Sequence, residues 1–84
     1  MSDLFMEKDR GARAEALLRD ETLLGAFDVL ENGYMDAWLQ TTARDAEGRE
    51  RLFLMVKTLH AVKSNLEETV TTGKFASMQL EQTE

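Results

Sequence analysis

The chain has 84 residues, with ten Lys plus Arg against sixteen Asp plus Glu, no Cys and no Pro. That length suits one small domain, and 43% hydrophobic with 31% charged residues marks a globular chain, neither disordered nor membrane-spanning. Zero cysteine excludes a disulfide scaffold, a thiolate metal site and a cysteine nucleophile, while a formal charge of −6 argues against a simple electrostatic binder of DNA or anionic lipid.

Residues 1–6 form a short apolar start expected to fray. Glu7, Lys8, Asp9 and Arg10 follow it at once, so it lacks the pattern of a secretory signal. From Glu7 to Arg19, the apolar positions Ala14, Leu17 and Leu18 suit a short first helix, weakened by Gly11. Asp20 then reads as an N-cap, with Glu21 in the first turn where the helix dipole favours a negative charge. A second helix is expected over 21–40, because Leu23, Phe27, Leu30, Tyr34 and Trp38 recur every three or four residues. Asn32-Gly33 is a turn-like pair, but the stripe keeps its phase across it, which favours one helix, bent at most.

The polar stretch Thr41 to Asp45 separates the two strongest patterns. Thr42 and Asp45 have nearly the spacing of a capping box, and Asp45 is itself a candidate cap. A third helix follows over about 45–72, with a stripe of Leu52, Met55, Val56, Leu59, Val62, Leu66 and Val70. It would span roughly 40 Å at 1.5 Å per residue. Gly73 with Lys74 reads as its stop, and 75–84 as one further amphipathic turn whose end, 81–84, frays. The longest apolar run, Leu52 to Val56, has five residues, far short of the roughly 20 that cross a bilayer. No membrane partner is expected, and the expected setting is the cytoplasm of a bacterial host or the virion.

The fold class is therefore all-α in one domain over 1–84: an antiparallel helical hairpin of 21–40 and 45–72 with a short N-terminal helix. Phe27, Leu30, Tyr34 and Trp38 would pack against Leu52, Met55, Val56, Leu59, Val62 and Leu66. Phe53, Leu54 and Ala61 fall outside that stripe, so the apolar sector is broader than one partner helix covers. Small chains without disulfides or metals complete such cores by association, and a homo-oligomer is expected.

Little in the sequence carries chemistry. His60 is the single histidine, with Lys57 and Lys63 at adjacent helical positions and no carboxylate three or four residues away to orient it. The acid pairs Asp28–Glu31 and Glu47–Glu50 lack the Glu-x-x-His partners of a di-metal bundle. The glycines are isolated and form no phosphate loop. Catalytic, metal and cofactor sites are expected to be absent, and with them enzymatic activity. Two charged groups remain as candidates. Asp28, Glu31 and Asp36 lie in a stretch, 20–39, without Lys or Arg and form a candidate acidic interaction face. Arg44, Arg49 and Arg51 form a candidate polyanion contact, diluted by Asp45, Glu47 and Glu50.

Ala14-x-x-Leu17-Leu18-x-Asp20, Tyr34-x-x-Ala37-Trp38, Arg44-Asp45-x-Glu47-x-Arg49-Glu50-Arg51-Leu52 and Gly73-Lys74 together resemble small all-helical proteins of tailed phages and prophages. The resemblance spans most of 12–80 and is similar to the helical-hairpin core of small terminase subunits. It implies a phage-encoded assembly or adaptor protein acting in virion assembly or DNA packaging. Such subunits carry an N-terminal helix-turn-helix domain for which 1–19 is too short, so the resemblance assigns no functional residue. Two alternatives accompany this reading: an acidic inhibitor of a host nucleic-acid-binding defence protein, and a small-terminase-like packaging subunit.

Overall fold

The computed structural model describes residues 3–82, which form three α-helices: α1 (Leu4–Leu18), α2 (Glu21–Gln40) and α3 (Ala46–Gln82). Asp3 caps α1, its carboxylate accepting the Phe5 backbone N–H at 2.9 Å. The helix closes on a tight last turn, with Arg19 and Asp20 N–H donating to the Ala16 and Leu17 carbonyls. The helix α2 runs unbroken through Asn32-Gly33. Asp45 caps α3 by accepting the Gly48 N–H at 3.0 Å, while its own N–H donates to the Thr42 carbonyl.

Two expectations at the chain's ends need correction. Leu4 to Met6 lie inside α1, and α3 continues ten residues past the expected 72 to Gln82. Gly73 does not stop α3, because a glycine stop requires a left-handed backbone and no described glycine has positive φ. The remainder of the expected frayed ends, residues 1–2 and 83–84, lies outside the described residues.

The chain divides into two compact units. One holds α1 and the part of α3 from Lys63 onward. Its centre is a close backbone approach: a Cβ built on Gly11 would lie 2.6 Å from the Gly73 Cα and 3.1 Å from the Thr69 carbonyl oxygen. Ala14 and Ala76, one turn along each helix, are 3% and 1% exposed. Gly-x-x-Ala thus occurs once on each helix, and these four small residues are the ones the unit buries. Leu17, expected in the first helix's stripe, stays 46% exposed. The backbones come close enough that the lack of side chains, rather than large side chains, makes the contact.

The other unit, Glu21–Val62, holds α2 and the first part of α3. No residue in it is buried. Its seam consists of half-exposed side chains, among them Phe27, Tyr34, Trp38, Leu52, Val56 and Leu59.

A candidate protein interface on α2 and α3

Within the second unit, Trp38 anchors one end of the seam. The Arg49 guanidinium sits 4.1 Å from the centroid of its ring, a cation–π contact. Arg49 Nη1 also donates to Thr41 Oγ1 at 3.2 Å, and that hydroxyl donates to the Trp38 carbonyl at 2.6 Å. Arg49 therefore joins the start of α3 to the end of α2. Further along, His60 Nε2 meets Glu31 Oε1 at 2.7 Å, tying the two helices again across a sequence separation of 29 residues.

Two apolar grooves flank this seam. The first, of about 330 Å³, is lined by Met35, Trp38, Phe53, Val56, Lys57 and His60. The second, of about 310 Å³, is lined by Tyr34, Arg51, Leu54, Met55, Thr58 and Leu59. Large side chains stand open to solvent on both: Phe53 is 56% exposed and Leu54 55%. Leu39, at the end of α2, is 69% exposed. Exposed apolar surface of this extent is the mark of an interface rather than of a finished core.

The sequence-level candidates distribute as follows. Phe27, Tyr34, Trp38, Leu52, Val56 and Leu59 are half-buried, whereas Leu30, Met55 and Val62 are exposed. Leu66 lies beyond Val62, in the unit that holds α1. The three arginines occupy different surroundings. Arg44 is exposed in the connection before α3, Arg49 is committed to Trp38 and Thr41, and Arg51 lines the second groove. Asp28 and Asp36 are exposed on α2 and make no ion pair among the described residues, while Glu31 is taken up by His60.

Three contacts escaped the sequence reading. His60 does have an orienting carboxylate, but on another helix, where a search at three or four residues misses it. Met35 and Phe53 line a groove although neither belongs to the main stripes. The repeated Gly-x-x-Ala spacing at Gly11 and Gly73 was the signal available for the α1–α3 crossing. Among the described residues no group of three or more His, Cys, Asp or Glu side chains is placed to hold a metal ion. No described helix is long and apolar enough to cross a membrane. No protein-family model matches the chain, nor does any curated protein or solved structure.

Proposed function

We propose that this chain is a non-enzymatic assembly or adaptor protein: a helical hairpin that completes its core by self-association. The observation that carries this reading is the absence of any buried residue in the Glu21–Val62 unit despite its density of large apolar side chains. Each such side chain contributes roughly 1.5–3 kcal/mol when fully buried, and here that stabilisation is largely unrealised in a single copy. The hairpin itself rests on the order of contacts: Thr41 with Arg49, Trp38 with Arg49, then Glu31 with His60. Partners farther apart in sequence as the helices diverge from their connection fit an antiparallel pair. The tailed-phage setting, in virion assembly or DNA packaging, rests on the residue pattern alone.

Size-exclusion chromatography with light scattering tests self-association directly. The expected mass is a multiple of the 9.5 kDa chain, and a monomer mass at tens of micromolar protein would refute the reading.

A second reading is favoured by one observation: α2 carries no Lys or Arg, and its Asp28 and Asp36 are exposed without an ion pair among the described residues. That surface suits a competitor for a basic nucleic-acid groove on another protein. Charge reversal at Asp28, Glu31 and Asp36 separates the two readings, because it should abolish inhibition of a nucleic-acid-binding target. The DNA-packaging reading retains Arg44 and Arg51 as free bases, and expects DNA binding that weakens steeply with salt.

A further inference from the structure

The two grooves beside the α2–α3 seam differ in charge, and that difference identifies which one meets a second copy. On the first flank, α2 carries Asp28, Glu31, Met35 and Leu39, spaced three, four and four residues apart and therefore on one side of the helix. On the same flank α3 carries Phe53, Lys57 and His60, again spaced four and three. The face thus has an acidic edge on α2, a basic edge on α3 and an apolar groove between them. Asp28 and Lys57 make no ion pair among the described residues. The second flank has no such pairing, since Arg51 is its one charged lining residue.

A surface with opposite charges on its two edges is complementary to itself under a two-fold rotation that exchanges the edges. We propose that a second copy of this chain covers the first groove, its acidic α2 edge lying over the basic α3 edge and the reverse. This deepens the self-association reading and rests on it. Met35 and Phe53 of each copy then fill the groove of the other. The opposite arrangement, α2 over α2, sets acid against acid and is disfavoured by like-charge repulsion.

The experiment uses the full chain, with light scattering for mass and far-ultraviolet circular dichroism for helix content. Phe53→Asp should yield a helical monomer, whereas Leu54→Asp, on the other flank, should keep the oligomer mass. A mixing test covers the case in which Phe53→Asp fails to fold. One variant carries Asp28→Lys with Glu31→Lys, the other Lys57→Glu with His60→Glu. Each alone should be weakened, and the equimolar mixture should associate on the order of tenfold more tightly than either with itself. If Leu54→Asp and not Phe53→Asp gives the monomer, or the mixture fails to associate, the proposed face is wrong while self-association stands. A monomeric wild-type chain overturns both.

Discussion

Glycine serves opposite purposes at different points of this chain. At Gly11 and Gly73 it makes room for backbone: a Cβ on Gly73 would lie 2.6 Å from the Gly11 Cα and 3.0 Å from the Glu7 carbonyl oxygen. Those atoms cannot rotate away, so a methyl group there must push α1 off α3. Gly11→Ala or Gly73→Ala should cost about 1–3 kcal/mol through overpacking, more than the roughly 1 kcal/mol that alanine returns in helix propensity. Gly25 and Gly33 meet nothing within 4 Å of a built Cβ, so there the propensity gain is unopposed. Gly25→Ala and Gly33→Ala should each stabilise by up to about 1 kcal/mol. Thermal melts of the four single variants provide the check, and a common sign for all four would defeat the distinction.

At the scale of the element, helix starts and stripes were legible in the sequence and long-range register was not. The bounds of α2 follow from Leu23, Phe27, Leu30, Tyr34 and Trp38, because a 3.6-residue period is a local property. Asp45 was legible as a cap for the same reason, its carboxylate bonding a backbone N–H only three residues on. Asp45→Ala should therefore cost about 1 kcal/mol, measured as a lower denaturant midpoint with unchanged slope. The end of α3 was misread because Gly73 has the composition of a stop, while its actual use depends on Gly11, far away in the chain. The same limit hid the His60–Glu31 contact and Arg49 on Trp38, both of which require knowing which turns of α2 and α3 face each other. Arg49→Ala removes a cation–π contact and a hydrogen bond from a half-buried site. It should destabilise by about 1 kcal/mol. Arg49→Lys should recover only part of that, because an ammonium lacks the planar fork that stacks on Trp38 while reaching Thr41.

For the whole molecule, the two units raise different demands. The α1–α3 crossing reaches full burial with small residues and needs no further covering. The Glu21–Val62 unit reaches none, and its exposed Leu30, Met35, Leu39, Phe53, Leu54 and Met55 are a standing cost in water unless something covers them. Its surface ion pairs do not compensate: a pair such as His60–Glu31, with the imidazole 54% exposed, contributes at most about 1 kcal/mol. Packing against a second copy is the larger available term, and it links stability to concentration. Unfolding an obligate dimer yields two chains, so each tenfold rise in protein concentration favours the folded side by about 1.4 kcal/mol. For a particle of two such chains this corresponds to a rise in Tm of about 3–6 °C per tenfold. Melts across a hundredfold concentration range should show that slope. Phe53→Asp should flatten it, because a chain that unfolds as a monomer melts at one temperature whatever its concentration.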